Sequence, residues 1–148
     1  KYDTMINKLE SNPMEVYRYI YSKILLDDGK LNKLCLKANI IYNNYITPID
    51  EINEIKYWLY CTKIKLKSAL KNNDINRASY IISTNSWKLL EGVWAVNNKP
   101  MPPSSIVFNK HNQLMKIPCK NWFNSLFVGD IISRSNIMLN IIDWVLEQ

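Results

Sequence analysis

The stretch "TPIDEINEIKYWLYCTKIKLKSALKNND", residues 47–74, decides the fold. Thr47-Pro48 reads as a helix start, with Thr47 as the N-cap and proline at the first helical position, where a missing N–H costs nothing. Asp50 and Glu51 then stand at the positive end of the helix dipole. Ile49, Ile52, Ile55, Leu59, Leu66 and Leu70 supply an inward stripe at helical spacing. The chain stops being helical at Asn72-Asn73, and Asp74 is placed to cap a second helix. That helix, "INRASYIISTNSWKLLEGVWAVNN" (75–98), carries its own stripe in Ile75, Ala78, Ile82, Leu89, Val93 and Val96. The polar "STNS" at 83–86 is expected to bend it. Two long helices joined by so short a link form an antiparallel hairpin.

The flanking sequence extends the pattern. Asn12-Pro13 opens a helix over "PMEVYRYIYSKILL", which Asp27-Asp28-Gly29 stops as a turn. "SKILLDDG" also admits a short strand near residues 23–27, because so brief an apolar run has no decisive period. "KLNKLCLKANIIYNNYI" (30–46) reads as a further helix. Residues 99–119 hold four of the six prolines and read as a long loop. "KNWFNSLFVG" is a short helix ending at Gly129, and Asp130 caps the last one, "IISRSNIMLNIIDWVLEQ". The expected fold is all-α, an up-and-down bundle of five or six helices.

Composition agrees with that class. A chain of 148 residues with 47% apolar and 22% charged residues is long enough for one ordinary globular core. Only three glycines argue against an all-β fold with many tight turns. Abundant Ile and Asn look like codon bias, and Asn-richness is given no functional weight. Three scattered cysteines (Cys35, Cys61, Cys119) and one histidine build neither a zinc site nor a disulfide framework. They point to a reducing cytoplasm. No apolar run reaches the roughly 18–20 residues that span a bilayer, so no membrane partner is expected. The chain opens on Lys rather than Met and lacks a signal-peptide core, so a piece of something longer is expected.

Phosphate-binding and nucleophile-elbow motifs are absent, as is the paired-histidine zinc motif. A catalytic triad would have to use His111, whose bland reading is an exposed residue of the proline-rich segment. Asp27 and Asp28 are adjacent and make a poor metal pair. Lys56, Lys63, Lys67 and Lys71 share one face of the 47–71 helix. Lys63 and Lys67 could meet phosphates there, or the face could be merely solvated near the negative end of the dipole. The net charge of +6 comes from scattered lysines. No helix rich in Arg, Asn and Gln stands out as a nucleic-acid reader, so that partner ranks last.

Trp87, Glu91, Trp94 and Asn98 recur at spacings of four, three and four, which stacks side chains on one helix face. Two rings flanking a carboxylate suit an organic cation. The competing reading makes the tryptophans a packing seam and pairs Glu91 with a lysine.

"KNNDINRASYIIS", "SWKLLEGVWAVNNKPMPPSS" and "LFVGDIISRSNIMLNIIDWVL" together resemble the C-terminal helical domain of bacterial nucleotidyltransferases, the aminoglycoside adenylyltransferases among them. The resemblance rests on the helix after Asn73-Asp74, its exit through Asn97, Pro100, Pro102 and Pro103, and the final "IDWVL". "ILLDDGKLNKL" is similar to the handover from the catalytic domain, so residues 1–29 would close that domain and 30–148 form the bundle. The family's Gly-Ser pair and Asp-x-Asp magnesium motif are missing. The resemblance therefore implies a substrate-binding domain with no catalytic residue and no cofactor of its own. ATP and Mg2+ would act in the full-length enzyme, Trp87, Glu91, Trp94 and Asn98 would take a small polar acceptor, and a homodimer is admitted. The alternatives are a non-catalytic helical module of a toxin–antitoxin pair and a lysine-rich nucleic-acid-binding domain.

Overall fold

In a computed structural model, the helix that begins after Thr47-Pro48 is α4, Ile49–Lys71. The structure describes residues 2–25 and 29–148, and all of their regular structure is helical. The other α-helices are α1 (Tyr2–Ser11), α2 (Val16–Ile20), α3 (Lys30–Asn44), α5 (Ile75–Val96), α6 (Ser104–Lys110), α7 (Trp122–Phe127) and α8 (Ile131–Glu147). They fall into two compact units, one made of residues 1–46 and 98–113, the other of 47–97 and 114–148.

The larger unit is built on the hairpin. α4 ends in a Schellman motif: Asp74 N–H donates to Ala69 O, Asn73 N–H donates to Leu70 O, and Asn73 takes φ 52°. The Asp74 side chain accepts from Arg77 N–H at 3.0 Å, as its cap position requires. Thr47 Oγ1 donates to Ala95 O, and Trp58 Nε1 donates to Asn85 Oδ1 at 2.9 Å. One bond joins the start of α4 to the end of α5 and the other joins their middles, so the helices run antiparallel. α8, capped by Asp130 accepting from Ser133 N–H, packs on both and completes a three-helix core. The three meet at Gly92. A Cβ there would come within 3.1 Å of Leu59 Cδ1 and of Val145 Cγ1. Glycine inside a helix costs about 1 kcal/mol against alanine, and this close approach is the compensating gain.

Several expectations change. Thr47 is buried and spends its hydroxyl on Ala95, so it does not cap α4, whose N-cap position is held by Pro48 with no side-chain cap. Ile49 and Ile75 are exposed, each in the first turn of its helix beyond the reach of the core. Thr62 and Ala69 join the buried stripe of α4 instead. The "STNS" run does not break α5. Ser83, Thr84, Asn85 and Ser86 each bond the carbonyl four residues back, so their polar groups are satisfied inside a continuous helix.

In the smaller unit α1 is a helix that the sequence reading did not mark. α2 ends at Ile20, short of the expected Leu26. Lys23–Leu25 form no strand, while Leu26, Asp27 and Asp28 lie outside the described residues. α6 interrupts the expected loop over 99–119, because Val107 finds a buried seat. Around Leu9, Val16, Leu34 and Ala38 this unit packs a ring of tyrosines, with Tyr17 and Tyr19 buried.

Candidate functional site

The expected acceptor face sits at the end of the α4–α5 hairpin, in the larger unit. Trp87 and Glu91 lie one helical turn apart on α5, and Trp87 is 40% exposed. Glu91 forms an ion pair with Lys88, and both side chains are about a quarter exposed. Glu51, in the first turn of α4, lies within electrostatic reach of Glu91 and Glu54. Its carboxyl is pushed above the ordinary carboxylate value, first by partial burial and then by Glu91, with Glu54 adding and Lys88 opposing. Glu51 therefore feels two further carboxylates and one lysine, an acidic corner on a basic protein.

Trp94 and Asn98 are placed differently. Trp94 is only 3% exposed. Gly92, Val93, Trp94 and Ala95 are four consecutive buried residues, a run that a one-faced helix does not produce. At this end α5 is enclosed on more than one side. Asn97 holds the returning chain against it, donating from Nδ2 to Lys116 O at 2.9 Å and accepting from Lys116 N–H at 2.8 Å. Asn98 is exposed, adopts φ 50° and belongs to the smaller unit. The structure thus leaves Trp87 and Glu91 reachable from solvent, one turn apart, and buries Trp94.

The lysine face of α4 also divides. Lys63 Nζ lies 2.5 Å from Asp143 Oδ1, and Lys56 Nζ donates to Leu146 O, so both are turned to α8. Lys67 and Lys71 stay exposed. His111 follows α6, with Nδ1 3.1 Å from Phe108 O. Among the described residues no group of three or more His, Cys, Asp or Glu side chains could hold a metal ion, and no helix is long and apolar enough to cross a membrane.

The ionisable group shifted furthest, Tyr42, lies in the smaller unit. Lys99 Nζ stands 3.9 Å above the Tyr42 ring and donates to Tyr42 O at 3.1 Å. Burial lowers the Lys99 ammonium below its ordinary pKa. The Tyr42 phenol is pushed up to about 12, first by burial and then by the neighbouring Tyr21. Tyr17 stacks near Tyr21 at 6.1 Å, meets Tyr42 edge-on at 5.7 Å, and donates its hydroxyl to Pro100 O at 2.6 Å. This arrangement ties residues 98–100 to α2 and α3. It works as a clasp, with the lysine committed to a ring and a carbonyl. The run Tyr17-Arg18-Tyr19-Ile20-Tyr21 was a local signal for aromatic packing. Lys99 was not legible, because its partner is 57 residues away.

No family model, curated protein or solved structure matches the chain.

Proposed function

We propose that the chain is the helical, non-catalytic partner domain of a nucleotidyltransferase, and that it takes a polar, cationic acceptor at the Trp87–Glu91 corner. The observation that carries this reading is the Lys88–Glu91 ion pair one helical turn from the exposed Trp87 ring, with Glu51 adding a further carboxylate within electrostatic reach. A second ammonium entering this corner relieves like-charge repulsion and gains charge-assisted hydrogen bonds. The exposed Trp87 ring beside it offers a cation–π face. Trp94 is buried and serves as packing. Of the two lysines expected to meet phosphates, Lys67 is the exposed one. The sequence lacks the Asp-x-Asp pair that holds magnesium in the family it resembles, so this reading assigns the magnesium chemistry of adenylyl transfer to a separate catalytic domain.

Isothermal titration calorimetry of the chain with a panel of aminoglycosides and linear polyamines tests the reading. Glu91→Gln keeps the shape and removes the charge. It is expected to weaken binding about tenfold, the effect of losing one charge-assisted contact of about 1.4 kcal/mol. Its melting temperature should stay put, since a Lys–Glu pair three residues apart on a helix that still meets solvent is worth under ~1 kcal/mol. A lowered melting temperature with unchanged affinity would make Glu91 a structural partner and remove the site.

A further inference from the structure

α4 carries two apolar stripes, and the three-helix core uses only one. At about 100° per residue, Ile55, Leu59, Thr62 and Leu66 point into the core. Ile49, Tyr57, Tyr60 and Ile64 fall on the opposite side of the helix, within an arc of about 80°. They are 67%, 72%, 54% and 53% exposed. Single exposed apolar residues are ordinary, but a row at helical spacing along one helix is a contact surface.

The charges bordering this row are arranged end to end. Asp50 and Glu54 lie toward the start of α4, and Lys65, Lys67 and Lys71 toward its end. We infer that the row is the interface for a second copy of the same chain, docked antiparallel through α4. A two-fold axis passing at Tyr60 pairs that ring with its own counterpart and sets Tyr57 against the partner's Ile64. In the same register Asp50 meets the partner's Lys71. Glu54 and Lys65 share one flank of the row, and a two-fold axis brings like flanks together, so they pair as well. One helix surface thereby supplies both halves of every contact, which is what an isologous interface requires. A polyanion such as single-stranded nucleic acid fits the lysine half but meets repulsion from Asp50 and Glu54 along the rest of the row. This inference does not rest on the acceptor reading: it shares only Glu54 with the acidic corner, where that carboxylate is the smallest influence on Glu51, and it uses none of Trp87, Lys88 and Glu91.

Sedimentation equilibrium of the whole chain decides it, using two charge-reversed variants at exposed positions: D50K/E54K and K65E/K71E. Each variant's melting curve is recorded first, and Tyr60→Glu serves as a single-site variant of the same surface. A single helix-pair interface is small, so the wild type is expected to double its mass only as concentration rises through roughly 10–100 μM. Each charge variant alone, and Tyr60→Glu, should stay at monomer mass over that range. An equimolar mixture of D50K/E54K with K65E/K71E restores all four charge pairs and should recover the dimer mass. The inference is overturned if the wild type remains monomeric, if the separate variants dimerise like the wild type, or if mixing them restores nothing. It is equally overturned if the wild type stays monomeric and its α4 lysines bind a single-stranded oligonucleotide instead. Glu91→Gln should leave the dimer unchanged, which separates a failure here from a failure of the acceptor site.

Discussion

The two compact units are held together by different means. In the larger one, Leu59, Leu66, Ile82, Leu89, Ile141 and Ile142 are fully buried aliphatic side chains of α4, α5 and α8, and Leu59 and Val145 close on Gly92. In the smaller one, a modest aliphatic centre is flanked by tyrosines: the Tyr17 ring meets those of Tyr21 and Tyr42, the Tyr17 hydroxyl holds Pro100 O, and the Tyr42 carbonyl holds Lys99. Aliphatic interdigitation derives its stability from area removed from water and from the absence of voids. A tyrosine cluster adds directional contacts, each small, that specify which segment lies where. The first kind of core is stiff toward loss of volume. The second is sensitive to loss of a single polar atom.

The largest test of this contrast is Leu59→Ala. Leu59 has no exposed surface and lies against the Gly92 approach. Truncation there should cost about 3 kcal/mol, within the range of about 2–5 for a buried leucine. It should lower the main thermal transition by roughly 10 °C. A smaller expected effect comes from Tyr17→Phe, which removes the 2.6 Å bond to Pro100 O and keeps the ring. It should cost about 1 kcal/mol in denaturant melts and speed proteolytic cutting within residues 98–113. If Leu59→Ala costs no more than Tyr17→Phe, the two units do not differ in the way proposed.

The smallest effect at neutral pH is the one that sharpens the comparison most. The Tyr42 phenol rises from an ordinary 10.0 to about 12 in the folded protein. Between those values the unfolded chain has lost a proton that the folded chain keeps. The Tyr42 contribution to stability is therefore fully present below pH 10 and is lost as pH rises through about 12. Phenolate absorbance during alkaline titration should show one late-ionising tyrosine. Tyr42→Phe should remove that step and, by losing the hydrogen bond with Tyr21, cost under about 1 kcal/mol at pH 7. An alkaline titration in which every tyrosine ionises together near its ordinary value would show that the cluster is open to water.

Much of the hairpin was legible because its determinants are local. Asp74 and Asp130 cap the helices they precede, and a cap depends only on the next three residues. Asparagine was misjudged. Asn73, Asn98 and Asn121 hold the three described non-glycine positions with positive φ, in a chain with only three glycines. Asparagine tolerates the left-handed region better than other side chains, so part of its abundance does structural service. Asn73, inside the Schellman turn that closes α4, was the available signal. At the candidate site, the shared face of Trp87 and Glu91 followed from spacing alone. The burial of Trp94 did not, because spacing defines a helix face and says nothing of how many neighbours enclose it.

By itself the sequence determined an all-helical chain, the antiparallel pairing of α4 with α5, and a glutamate one turn from a tryptophan near the end of α5. These follow from periodicity, capping and a short link, which act over a few residues. Only the tertiary structure decided that Thr47 bonds Ala95 rather than capping α4, and that Lys63 is spent on Asp143. It also decided that Glu51 joins Glu91, and that Lys99 rests on Tyr42. Each of those pairs residues at least 40 positions apart in the chain. A polar group's partner at such separations is chosen by whatever packing brings within hydrogen-bond reach, and no local propensity encodes it.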